Sequence, residues 1–436
     1  MPKSTARRRA ARKRTEQVRG RHGGGEQPHP EDVSRGYLLR QLASAGAATA
    51  SEYERERVAV GLAAADPAVD EDGVVADLLL GALQRLWEHG WQPADAVHVV
   101  QRQGTQRLAR LAVAVIAEEA RIARAPSRAP QEWLDQLTAI GALSGRDRAV
   151  LAGWARGERL DAVDAWRDVL VLLGRLTRLP PLQELGAPPS RWGQQPPRRP
   201  TGPSSADGRV LRRIRALLAK AESTDFPDEA EALSAKAQEL MTRHAVDAAF
   251  LAVTNHPSLP GEVVARRVHV SNPYPDAKVH LLSAVAAVNT VRVVWLEELG
   301  IVTTVGLPVD VDAVELLFTS LLVQATRALT AAGRAGTART RSPAFRRSFL
   351  LSYAMRIGER LDEARQRVTD EAEQSHGAAL LPVLRARGQA VDDVFAELFP
   401  QTSAVTSRVT DEHGWRAGRR AADAADLGSG RGQVQG

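Results

Sequence analysis

Two stretches, Arg209-Val-Leu-Arg-Arg-Ile-Arg-Ala-Leu-Leu-Ala-Lys-Ala-Glu-Ser-Thr224 and Glu229-Ala-Glu-Ala-Leu-Ser-Ala-Lys-Ala-Gln-Glu-Leu-Met-Thr-Arg-His244, set the fold class. In the first, Val210, Ile214, Leu217, Leu218 and Ala221 recur at helical spacing and line one side, while Arg212, Arg213, Arg215 and Lys220 fall largely off it. Ser223, Thr224 and Asp225 break the period. Pro227, Asp228 and Glu229 then suit a first helical turn, where acids meet the positive end of the helix dipole. The second helix buries Ala230, Leu233, Ala237, Leu240 and Met241. Together they predict a helical hairpin over residues 209–251.

Upstream the same periodicity continues. Leu108, Leu111, Ala112, Val115 and Ile116 share one helical face with Arg107, Arg110 and Glu118 opposite, and Val75, Leu78, Leu79, Leu83 and Leu86 lead to Trp87. Helix starts are marked by Pro93 with Asp95 and by Pro130 with Glu132, and stops by Gly90, Gly104, Gly141 and Gly157. Residues 31–179 therefore read as a multi-helix domain. Eight prolines between Pro180 and Gly208 predict an extended spacer over 180–208.

Strand chemistry enters only after Gly261. Val263–Val270 alternates in places, and Val291–Leu296 and Ile301–Val305 flank Gly300 as a hairpin. Helices are expected at Asp276–Val288, about Val311–Ala331 and Pro343–His376, followed by shorter ones to Phe399. The order predicts a small α+β domain over 262–400 with an antiparallel sheet, within a mainly α protein. Residues 401–436 read as a polar C-terminal segment.

Charge is unevenly placed. Nine Lys/Arg against Glu16 give residues 1–25 a charge of +8, so the formal net charge of +6 leaves −2 for the rest. That basic start, with Gly23, Gly24 and Gly25 and little to bury, is read as a disordered tail over 1–30. Arg7, Arg8, Arg9, Arg12, Lys13 and Arg14 are the expected contacts to nucleic acid, without sequence preference. Cysteine is absent, which excludes disulfides, thiolate metal sites and a cysteine nucleophile. No apolar run has the length of a membrane span and no secretory signal is evident, so a cytoplasmic protein without membrane contact is expected.

The hairpin wording resembles the bacterial and phage domain of unknown function 2786, which shares the Lys-Ala-x-Ser-Thr turn and the Lys-Ala-Gln-Glu-Leu-Met-x-x-His run. Phe345-Arg-Arg-Ser-Phe-Leu and Gly414-Trp-Arg-Ala-Gly are similar to what accompanies that domain in actinobacterial members. No activity is established for that family, so the resemblance implies an architecture and little chemistry. Its polar positions here are Lys220, Glu222, Lys236, Gln238, Glu239 and His244. Lys236 and Glu239 are three apart and suited to pair as ordinary helix support. His244 lies four residues after Leu240, on the apolar face, where burial against Ile214, Leu217 and Leu218 is expected.

Motifs with defined chemistry are missing. No His-Glu-x-x-His, phosphate loop or Gly-x-Ser-x-Gly elbow occurs. Glu373 and His376 have the spacing of di-iron helices but no second copy, so no metal and no cofactor is expected. Trp87 and Trp91 bracket a helix end as a staple, and Trp295 alone on the sheet offers no stacking platform for bases. These readings favour a non-enzymatic binding or accessory protein. The alternatives are a hydrolase of nucleic acid or protein whose site lacks a local motif, and a protein-interaction scaffold.

Overall fold

A computed structural model describes residues 30–143, 149–193, 205–223, 227–254, 263–335, 338–376, 380–403 and 410–424. The basic tail, including Arg7 to Arg14, lies outside them. The periodic stretches fold as helices α1 (Pro30–Ala48), α2 (Glu52–Ala65), α3 (Val74–Glu88), α4 (Pro93–Gln103), α5 (Gln106–Ile122), α6 (Ala125–Arg128), α7 (Gln131–Ala139), α8 (Val150–Glu158) and α9 (Ala162–Leu176). The hairpin is α10 (Ser205–Ser223) and α11 (Pro227–Thr254). Then come β1 (Val264–His269), α12 (Pro275–Val288), β2 (Arg292–Leu296), β3 (Ile301–Gly306), α13 (Pro308–Ala335), α14 (Pro343–His376), α15 (Leu380–Leu398) and α16 (Glu412–Ala424). The protein is mainly α with one small antiparallel sheet, and no described helix is long and apolar enough to cross a membrane.

The chain divides into two compact units, and the boundary falls within the N-terminal helices. One unit holds α1, α2, α3 up to Ala82, α8 and α9; the other holds the rest of α3, α4 to α7 and everything from Leu179 on. In the first, Leu39, Leu62, Leu79, Trp166 and Leu170 are buried. The Trp166 indole donates to the Asp66 carbonyl at 3.0 Å, and the Asp70 carboxylate accepts from the Val75 and Ala76 amides, which satisfies the open donors at the start of α3.

In the second unit β3 is the central strand, in the order β1-β3-β2, antiparallel to both neighbours and buried at every position. Val264 pairs with Gly306 and His269 with Ile301, while Arg292 faces Val305 and Leu296 faces Ile301. Helices α12, α13 and α15 pack on the sheet and α4 on β1. A hydrophobic core runs from the hairpin (Leu211, Ile214, Leu218, Ala237, Met241) through α12 and α13 to Phe345, Phe349 and Tyr353 of α14.

The first part of the proline-rich segment is docked. The Trp91 indole donates to the Pro180 carbonyl at 2.7 Å and Leu182 N–H to the His89 carbonyl at 2.9 Å, while Trp192, 4% exposed, meets Trp133 edge to face. Gly90 is required there, because it has φ +80° and a Cβ would stand 2.3 Å from the Leu182 oxygen. Residues 194–204 lie outside the described residues.

The polar C-terminal segment contains a helix that sequence periodicity left unread. Along α16, Gly414 and Gly418 lie against the Phe345 and Phe349 carbonyls, with room for no Cβ: one would come within 2.4 and 2.1 Å. The Ser348 hydroxyl accepts from the Thr410 and Asp411 amides. The two downstream stretches of the resemblance are therefore packing partners.

Candidate functional site

The densest polar constellation gathers on Asp95, at the third position of α4. One carboxylate oxygen accepts from the Gln92 amide at 3.1 Å as half of a capping box, which fixes the side chain before any tertiary partner arrives. The same oxygen takes the Arg267 guanidinium at 2.5 Å, and the other meets His269 Nε2 at 2.8 Å. Arg267 and His269 share one face of β1 because strand side chains alternate. The Arg267 side chain is 3% exposed, and its remaining donors reach the carbonyls of Gly90 at 2.9 Å and Gln183 at 2.5 Å. Burial alone would raise the Asp95 carboxyl; the His269 hydrogen bond and the Arg267 charge outweigh it and hold it below the usual range.

His98, one turn along α4, stacks on His269 with centroids 4.7 Å apart and 19° between planes, and its Nε2 meets the Gly300 carbonyl at 3.1 Å. Burial, reinforced by the adjacent His269, pushes its imidazole down to about 4, so it is neutral at physiological pH. An ionised carboxylate only accepts hydrogen bonds, so His269 Nε2 carries the proton of this bond. A carboxylate that holds one imidazole nitrogen in this way orients the ring. Among the described residues no hydroxyl donates to His269, so it has no nucleophilic counterpart there. The sequence marks Asp95 as a helix start and singles out neither His98 nor His269; the legible signal is the two-residue spacing of Arg267 and His269 on a strand.

The six hairpin positions do not converge on one place. Lys220 is exposed on α10, and Glu222 contributes its backbone carbonyl to Arg327. Lys236, exposed, pairs with Glu239 at 2.8 Å, and Glu239 also takes Arg243 at 2.8 Å. Gln238 is fully buried and exchanges reciprocal amide bonds with Asn289, at the end of α12, at 3.0 and 3.2 Å. It clasps the hairpin to the sheet unit.

His244 is mostly buried against the partner helix, but its contact there is polar. Its side chain is 14% exposed, and Nε2 meets Asp207 of α10 at 3.0 Å. Nearby, Arg387 of α15 donates to Asp310 of α13 and to the Ala245 carbonyl, both at 2.9 Å. Burial pushes the Asp310 carboxyl up against the opposing pull of Arg387 and His244. One spoke of this cluster therefore comes from each of four helices, and His244 ties the hairpin ends together. No cluster of three or more metal-ligating side chains occurs among the described residues.

With this geometry in hand, the family comparison agrees with the hairpin. Residues 209–248 match the family model described as protein of unknown function (DUF2786), so the chain carries that domain. No curated protein and no solved structure matches the chain.

Proposed function

We propose that the chain is a non-enzymatic, cytoplasmic accessory protein that associates with nucleic acid through its basic N-terminal tail, without reading sequence. The observation that carries the proposal is the charge separation, +8 in residues 1–25 against −2 in all that follows. Arg7, Arg8, Arg9, Arg12, Lys13 and Arg14 supply six cations in eight residues, dense enough to neutralise successive phosphates. The folded part supports a binding role over catalysis, because the polar family positions serve internal joins: Gln238 to Asn289, His244 to Asp207 and Lys236 to Glu239. The absence of cysteine supports action in a reducing compartment.

Duplex DNA binding by the full chain, compared with the R7Q/R8Q/R9Q/R12Q/K13Q/R14Q variant across a salt series, tests the reading. The variant is expected to lose about 0.9 from the slope of log affinity against log salt for each phosphate contact removed. Equal affinities and slopes would refute tail-mediated binding.

A second reading, a hydrolase without a local motif, draws on His269: its side chain is 26% exposed and its Nδ1 has no hydrogen-bond partner among the described residues. A hydrolytic activity lost in His269→Ala and retained in His98→Phe would favour it.

A further inference from the structure

We infer that the outer face of α10 is a second, folded nucleic-acid contact, a row of arginines that takes the phosphate backbone of a duplex. This rests on the reading that the protein binds nucleic acid, and adds a site that the tail does not contain. At 100° per residue, Arg209, Arg212, Arg213 and Lys220 fall within an arc of roughly 100° on the helix, opposite Leu211, Ile214 and Leu218. All four cations are exposed. The side chains of Arg209, Arg212, Arg213 and the flanking Arg215 make no hydrogen bond or ion pair among the described residues.

Other exposed arginines of the same unit, among them Arg334, Arg346, Arg385 and Arg420, also have side chains without a partner among the described residues; what sets α10 apart is that three such arginines fall in one row between Arg209 and Arg213. Several arginines elsewhere in the same unit do find carboxylates: Arg365 with Asp362, Arg416 with Glu412, Arg419 with Glu359 and Arg292 with Asp392. On α10 the acids stand off the row. Asp207 is engaged by His244, and Glu222 follows on another side of the helix. Arg327 of α13 adds a cation at the far end through its bond to the Glu222 carbonyl.

A near-neutral body leaves no general excess of positive charge, so this row is a local field rather than a reflection of composition. From Arg209 to Lys220 the row runs about 16 Å at 1.5 Å per residue, enough to reach phosphates on both sides of a major groove about 12 Å wide. Guanidinium groups bind phosphate oxygens in pairs, and contacts of that kind position a duplex without reading bases. A bilayer fits less well. The apolar side of α10 is buried in the core, and the outward residues among the cations are Ala216 and Ala219, which provide no hydrophobic anchor.

Four full-length chains test the inference: wild type, the six-fold tail variant above, R209Q/R212Q/R213Q, and the combination. Each is titrated against a 20-base-pair duplex by fluorescence anisotropy between roughly 50 and 200 mM salt, with circular dichroism confirming equal helix content. The hairpin variant is expected to lower the log–log salt slope by roughly 2 to 3 in both the wild-type and the tail-neutralised backgrounds. An unchanged slope in the tail-neutralised background, or no duplex binding by that background, overturns the inference while leaving the tail reading intact. Failure of the wild type to bind duplex overturns both. Hairpin-dependent binding to phosphatidylserine vesicles without duplex binding also overturns it, and assigns the row to a membrane.

Discussion

Arginine serves opposite ends in two regions of the second unit. Beneath the sheet, Arg267 is buried and each of its contacts is internal: Asp95, the Gly90 carbonyl and the Gln183 carbonyl. On the outside of α10, Arg209, Arg212 and Arg213 carry the same group with no internal acceptor. A buried guanidinium must have its donors satisfied and its charge matched, so its chemistry is committed to holding β1, α4 and the residue 183 backbone together. An exposed one keeps its donors available. The difference gives structural work to Arg267 and none to the α10 guanidinium groups, and substitutions should divide the same way.

The largest effect is expected where the buried pair is broken. Arg267→Leu leaves the Asp95 carboxylate, 1% exposed, without its cation, and urea denaturation should show a loss of about 3–5 kcal/mol. A loss below about 1 kcal/mol would mean that the pair is dispensable and would erase the contrast with α10.

Next comes the seam between α14 and α16, where backbone contact replaces charge as the organising feature. Gly418→Ala puts a methyl group within 2.1 Å of the Phe349 carbonyl oxygen, and neither helix backbone can yield as a flexible side chain would. Overpacking of this kind costs about 1–3 kcal/mol. Alanine at Gly333 of α13, where no atom lies within 4 Å of the added carbon, is the matched control and should be tolerated. Equal stabilities of the two variants would remove α16 from the cooperative core.

Glu119 sharpens the comparison by supplying an interior charge that has no cation. Burial pushes its carboxyl up to about 7. A raised acid pKa means that the folded state holds the proton more tightly, so the associated stability is present below pH 4.5 and disappears as the pH rises through 7. Glu119→Gln should therefore resemble wild type near pH 4 and exceed it by up to roughly 2–3 kcal/mol at pH 8, read from denaturant midpoints. His98 works in the other direction. Its lowered pKa favours the neutral folded form, so its contribution is present above pH 6.5 and is lost as the pH falls toward 4. A flat difference between wild type and Glu119→Gln from pH 4 to 8 would show that Glu119 is hydrated in the folded protein.

What the sequence revealed follows from the range of its signals. The hairpin, the helix from Pro343 to His376 and the three strands were legible because their periodicity is local, and their observed bounds lie within a few residues of those expected. Helix α16 was not, since Gly414-Trp-Arg-Ala-Gly418 has few apolar residues and is helical because its glycines let it approach α14. The Asp95 cluster escaped for a different reason. Asp95 and Arg267 are 172 residues apart, and only the pairing of β1 with β3 and the packing of α4 on β1 bring them together. His244 was placed by helical spacing on an apolar face, but its ring meets the Asp207 carboxylate of α10, which spacing within α11 does not reveal.

The smallest expected effect on stability belongs to the arginine row itself. Arg209 and Arg213 are four residues apart on α10, and Arg209 with Arg212 and Arg212 with Arg215 are three apart, so each pair sets like charges on adjoining turns. Such pairs disfavour a helix by about 0.2–0.5 kcal/mol each, and no acid on the same face offsets them. The R209Q/R212Q/R213Q variant should therefore be slightly more stable than wild type, by several tenths of a kcal/mol at low salt. Salt screens exposed charges over about 10 Å at 0.1 M and 3 Å at 1 M, so the gain should vanish in concentrated salt. Thermal unfolding at low and 1 M salt measures both the sign and the screening. A loss of more than about 1 kcal/mol would mean that the guanidinium groups hold the fold, as Arg267 does, and the division between interior and surface arginines would fail.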